Sequence, residues 1–141
     1  MDVIRGRLDN PIVIVPPTVN IELGFEAASA PGSATGKAAI TAMRQLRPAW
    51  GFKPVNLVPV GHGIVECVAD KIRARGYLPE EERNDSHIIV EAALLDCTLL
   101  VTSDAHMLDA PQGPLRLLLS AHDLAAPLIV SPRKLARAFF R

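Results

Sequence analysis

The sequence predicts an α/β domain, an open, doubly wound parallel sheet with helices on both faces. Three observations carry this. Four short apolar runs, at residues 12–15, 55–60, 99–102 and 128–130, are rich in β-branched side chains. They alternate with longer stretches of helical periodicity. Within each run, apolar residues largely follow one another instead of alternating with polar ones, as in strands covered on both sides.

The elements follow in order. Residues 12–15 (IVIV) are the first expected strand, closed by Pro16 and Pro17. Pro17 suits the first turn of a helix, where an amide hydrogen has no intrahelical partner to lose. A helix over 18–28 follows, with Val19, Leu23 and Phe25 toward the core. Residues 29–36 (SAPGSATG) break it, and 37–46 are helical again. Residues 55–60 (VNLVPV) are the second expected strand, ended by Gly61 and Gly63. A helix over 64–75 presents Ile64, Val65, Val68 and Ile72 as its inner stripe and stops at Gly76. Residues 80–83 (EEER) read as a solvated connection. Asp85 and Ser86 open a largely apolar helix ending near residue 96. Residues 99–102 (LLVT) form the third strand, leading through Ser103 and Asp104 into a short helical piece. Residues 128–130 (LIV) form the fourth, and Pro132 opens the last helix.

Composition bounds the function. The 141 residues suffice for one domain, 1–141, with its own core. Hydrophobic residues at 49% with charges at 21% exclude intrinsic disorder. There is no apolar run of membrane-spanning length and no apolar leader, so a cytoplasmic protein is expected. Fifteen basic and fifteen acidic side chains cancel, which leaves nucleic-acid binding to local patches. Lys37, Arg44 and Arg47 share a helix and stand with Arg5, Arg7 and Lys53; Arg133, Lys134, Arg137 and Arg141 lie on the last helix. A solvated face explains either group as well as phosphate contacts do. Aromatic residues make up only 4%, so a base-stacking surface is not expected. Cys67 and Cys97 sit in apolar stretches without metal-type spacing and read as buried thiols in a reducing compartment.

Three carboxylates are expected at one rim. Asp104 lies just past the carboxyl end of strand 99–102. Asp85 begins the helix leading into that strand, and a crossover helix runs antiparallel to its strand, so its N-terminus lies at the same edge. Glu22 is one to two turns into the helix after strand 12–15. Ligands bind at this edge in such folds. Crowded carboxylates repel unless a hard cation neutralises them, and an oxygen-only set suits Mg²⁺ or Mn²⁺. Such an ion lowers the pKa of a bound water and offsets charge on a phosphate.

The stretch ERNDSHIIVEAALLDCTLLVTSDAHML resembles the second half of a PIN domain, IVIVPPTVNIEL its second strand and following helix, and PLIVSPRKLARAF its terminal strand and Pro-led helix. The resemblance implies a three-layer sandwich, with Glu22, Asp85 and Asp104 as three of four acidic metal ligands. It further implies Mg²⁺- or Mn²⁺-dependent cleavage of RNA, and, for many members, a toxin's place in a toxin–antitoxin pair and a homodimer. One departure stands out. The family's opening strand carries the first Asp, yet only eleven residues precede Ile12, too few for a strand and crossover. Asp2 has the right chemistry without the room. The first strand is therefore expected to be missing or truncated.

Each residue also has a plainer reading. Asp85 and Asp104 stand where N-caps stand, and Glu22 is an ordinary helix charge. The alternative function is accordingly a non-catalytic PIN-like module that binds protein or RNA. His87 and Glu91, four apart on one helix, form half of a zinc-type pattern without a second half, and His106 lies near Asp104. Residues 32–37 (GSATGK) resemble a phosphate-binding loop but have one residue too few between the glycines, no Ser or Thr after Lys37, and a helix before them.

Overall fold

The computed structural model describes residues 6–139. The expectations attached to Asp2, Arg5 and Arg141 lie outside the described residues. The described residues divide into two compact units, Ile12–Leu57 and a second that comprises residues 6–11 and 58–139. Helices and parallel strands alternate, as an α/β chain requires, and the strands form two parallel pairs.

The Ile12–Leu57 unit contains β1 (Ile14–Val15), α1 (Pro17–Ser29), α2 (Ala34–Gln45) and β2 (Lys53–Pro54). Ile14 lies opposite Lys53 and Val15 opposite Pro54. Lys53 N donates to Val13 O at 2.9 Å and Val55 N to Val15 O at 3.1 Å. The ladder therefore takes its donors from positions 53 and 55, and Pro54 between them has no bond to lose. This corrects the strand expected over 55–60. Pairing ends at Val55, and a helix already begins at Pro59, which lacks a ladder donor but fits a first helical turn.

Helix α1 starts at Pro17 after an extended Pro16, as expected. Val19 and Leu23 are half-buried, but Phe25 is 67% exposed, against expectation. The apolar residues of α1 (Val19, Ile21, Leu23, Phe25) fall all round the helix, so no single stripe collects them. Helix α2 packs on α1 and begins three residues before the expected start. Ser33 caps it, accepting from Gly36 N at 2.9 Å while its hydroxyl donates to Ala30 O at 2.7 Å. The Ala30 carbonyl occupies the space a side chain at position 36 would need, which explains this glycine.

The second unit contains α3 (Pro59–Ala74), α4 (Arg83–Leu94), β3 (Leu99–Val101), α5 (Ala105–Asp109), α6 (Gln112–Ser120), β4 (Leu128–Val130) and α7 (Pro132–Phe139). Val65, Val68, Ala69 and Ile72 of α3 are buried at the i, i+3, i+4, i+7 spacing of one helix face. Ile64 falls off that face and is exposed, correcting its place in the inner stripe. Gly76 ends α3 with φ 70°, and Tyr77 N donates back to Ile72 O at 3.1 Å, a Schellman closure. Helix α4 packs on α3 and is enclosed from Ile88 through Ala93. Leu115, Leu118 and Leu119 of α6 add to this core. Strands β3 and β4 pair in parallel, Leu99 with Leu128 through Val101 with Val130.

The cysteines differ from expectation. Cys67 is exposed on α3 and Cys97 is half-buried in the turn before β3; both are free thiols and neither belongs to the core. Burial, and the nearby Asp96 carboxylate, push the Cys97 thiol pKa up. Among the described residues, no helix is long and apolar enough to cross a membrane.

Candidate metal centre

The start of α4 supplies two carboxylates. Glu82 is the residue before the first helical turn and Asp85 lies three residues on, within that turn. Residues three apart share a helix face, and an acidic group in a first turn is favoured by the helix dipole. Asp85 therefore sits inside the helix, two residues past its start, and does not open it as the sequence suggested.

The third group comes from beyond β3. Asp104 is the N-cap of α5: its Oδ1 accepts from Met107 N at 3.0 Å, and its own N–H donates to Thr102 Oγ1 at 3.1 Å. These bonds fix the start of α5 and with it His106, the second helical residue. His106 Nδ1 lies 2.8 Å from Glu82 Oε1. That contact joins the N-terminus of α4 to the segment following β3, so the crossover argument holds for this pair of elements.

Glu82, Asp85 and His106 each offer a ligand atom, and these atoms all lie within 4.8 Å of one another. Glu82 and Asp85 are half-buried, with Asp85 Oδ2 shielded from solvent, whereas the His106 side chain is 50% exposed. The group is thus walled on one side and open on the other. Two adjacent ligands of a six-coordinate ion, each about 2.1 Å from it, stand roughly 3 Å apart. The Glu82–His106 spacing matches such an edge. Two carboxylates with one imidazole suit Mn²⁺ better than Mg²⁺, which prefers oxygen alone.

Neighbouring groups hold this turn in place. Glu66 of α3 receives Arg83 Nη2 at 2.6 Å on one oxygen and faces His87 Nε2 at 3.2 Å with the other. Buried Ser86 donates to Arg83 O at 2.7 Å and accepts from Arg73 Nη1. His87 Nε2 faces Glu66 of α3, Glu91 is buried at 2% exposure, and neither residue belongs to the three-ligand group found among the described residues.

Of the three carboxylates expected to converge, Asp85 stands in the cluster. Asp104, two residues before His106, is a helix cap, the plainer of its two readings. Glu22 is half-buried on α1 of the Ile12–Leu57 unit. In the sequence Glu82 reads as part of a solvated connection, and His106 only as a histidine near Asp104. Their signal was the three-residue step from Glu82 to Asp85 at a helix start, together with a histidine two residues beyond the strand-end Asp. The 32–37 segment serves as the α1–α2 turn and the cap of α2, with no strand before it. Comparison of the chain with family models, with curated proteins and with solved structures gave no match.

Proposed function

We propose that the chain is a divalent-metal-dependent ribonuclease of the PIN type, built as a three-layer α/β sandwich, with Asp85, Glu82 and His106 as the metal-holding set. The observation that carries the reading is the gathering of these three ligand-type side chains beyond the carboxyl end of β3, within 4.8 Å of one another. That edge is where an α/β fold binds its ligands. It is also where the resemblance puts an acidic centre. Asp104, in the same unit, remains the resemblance's further ligand in this proposal.

A divalent ion bound by this set supplies Lewis acidity, making a water more acidic and offsetting charge on a scissile phosphate. The chain's own residues do the positioning. The Asp104 cap and the Thr102 hydroxyl set the angle at which α5 presents His106. Glu82 Oε1 and His106 Nδ1, 2.8 Å apart, would be the pair of ligand atoms at one coordination edge. Glu66 anchors the α4 turn through Arg83. Hydrolysis adds water across one P–O bond, its oxygen joining phosphorus and a proton going to the departing oxygen. An RNA substrate, an antitoxin partner and a homodimer belong to the same proposal.

The engagement of Asp104 Oδ1 in a cap favours a second reading, a module that keeps the fold and binds without cleaving. Incubation of single-stranded RNA with the chain and Mn²⁺ separates them. The first reading expects cleavage that Asp85→Asn abolishes; intact RNA in the presence of saturating Mn²⁺ overturns it in favour of the second.

A further inference from the structure

A second feature lies in the Ile12–Leu57 unit, which contributes no residue to the Glu82, Asp85 and His106 group. Between Ala27 and Leu57 the chain has no acidic residue but carries Lys37, Arg44, Arg47 and Lys53, all exposed. The unit's only carboxylates, Glu22 and Glu26, are both on α1. The cations concentrate at the end of α2 and in the turn that follows it. That turn also holds the chain's sole tryptophan.

Its backbone is built to hold a shape. Trp50 N donates to Gln45 O at 2.9 Å, Gly51 N to Arg47 O at 3.0 Å and Phe52 N to Leu46 O at 2.7 Å, over a buried Leu46. Gly51 takes φ 61°, a conformation glycine adopts without cost. The reversal brings the Trp50 and Phe52 rings together, centroids 5.8 Å apart and planes at 52°. Trp50 stays 37% exposed and Lys53 follows directly. Trp50 is exposed and Phe52 half-buried, and the ten residues 44–53 that hold them carry three exposed cations and no anion.

We infer that the segment 44–53 is a binding platform for single-stranded nucleic acid, with Trp50 and Phe52 as a stacking surface for a base and Arg44, Arg47 and Lys53 as partners for adjacent phosphates. Charge complementarity selects this occupant: a polyanion carrying π-faces meets both halves of the patch, and a neutral apolar partner meets one. A duplex hides its bases and meets only the cations. The overall scarcity of aromatic residues had argued against a stacking surface, but two rings suffice when a turn places them together. The inference goes beyond the metal reading, because binding here requires no cation.

The sole tryptophan reports on the site directly. The full chain is titrated in EDTA with an oligouridylate of about 12 nucleotides, following Trp50 fluorescence and the anisotropy of a label on the RNA. The platform predicts quenching of Trp50 and affinity that falls with salt by a log–log slope of roughly 0.7 per phosphate contact. Trp50→Ala weakens binding by roughly 5- to 150-fold and Trp50→Phe restores most of it. The Arg44→Gln/Arg47→Gln variant, exposed on both counts and checked for fold by circular dichroism, lowers the salt slope by roughly 1.4. No quenching at low salt, an unchanged salt slope in the arginine variant, or binding to duplex RNA as tight as to the single strand overturns the inference. EDTA keeps this outcome separate from any failure of metal-dependent cleavage.

Discussion

Asp104→Ala separates what a helix cap contributes from what a metal ligand would. The substitution deletes the bond that Met107 N donates to Oδ1 at 3.0 Å, at the start of a helix only five residues long. Loss of such a cap costs about 1 kcal/mol, and a net hydrogen bond has the same worth, the two being one interaction counted two ways. Met107 is 3% exposed, so its burial keeps α5 docked after the cap is gone. In a protein of this size about 1 kcal/mol lowers the melting temperature by about 3 to 4 °C. Asp104→Asn keeps an oxygen at the same place and, as an equally good capping residue, costs less than about 0.5 kcal/mol. Urea and thermal unfolding followed by circular dichroism measure both. An Asn variant as unstable as the Ala variant would refute the cap reasoning. If the cap is the residue's whole role, Asp104→Asn, which keeps the cap, binds Mn²⁺ as the parent does; loss of binding in Asp104→Asn would give Asp104 the ligand role expected from the sequence.

Four further outcomes follow from the packing. Gly36→Ala drives a methyl into the Ala30 carbonyl and costs more than about 2 kcal/mol in chemical denaturation. Gly24→Ala meets nothing within 4 Å in mid-helix and stabilises by about 0.5 to 1 kcal/mol in the same assay. Ile72→Ala, at 0% exposure between α3 and its neighbours, costs about 2 to 5 kcal/mol. Cys97, whose thiol pKa is raised by burial and by Asp96, is alkylated far more slowly than exposed Cys67 at pH 7, as mass spectrometry of the modified peptides would show. A raised folded-state pKa means that folding favours the protonated thiol. The stability linked to Cys97 is therefore present below the ordinary thiol pKa and is lost as pH rises through the raised one.

Much of the fold was legible where one local signal dominated. Strands β3 and β4 stand at apolar runs with no competing element, and Pro132 opens α7 as a proline at a first turn should. Gly76 marks the end of α3 because only a residue tolerant of φ 70° closes that turn so readily. Residues 55–60 misled because Val55, Leu57, Val58 and Val60 look like a strand, while Pro59 starts a helix and decides the matter. At the candidate centre, topology correctly brought the first turn of α4 to the end of β3. What it could not give was rotamer and cap geometry. Asp104 turns its Oδ1 back to the backbone, and Glu82 with His106, each plain in isolation, meet across two elements. Trp50 and Phe52 were likewise invisible as a pair until the turn at Gly51 joined them.

The central claim is that Glu82, Asp85 and His106 hold one divalent ion, and isothermal titration of the chain with Mn²⁺ tests it most directly. The account predicts one binding event for the parent, with Asp85→Asn and His106→Ala each losing it while keeping the parent's circular dichroism. No heat of binding from the folded parent, or an unchanged isotherm in both variants, would contradict it.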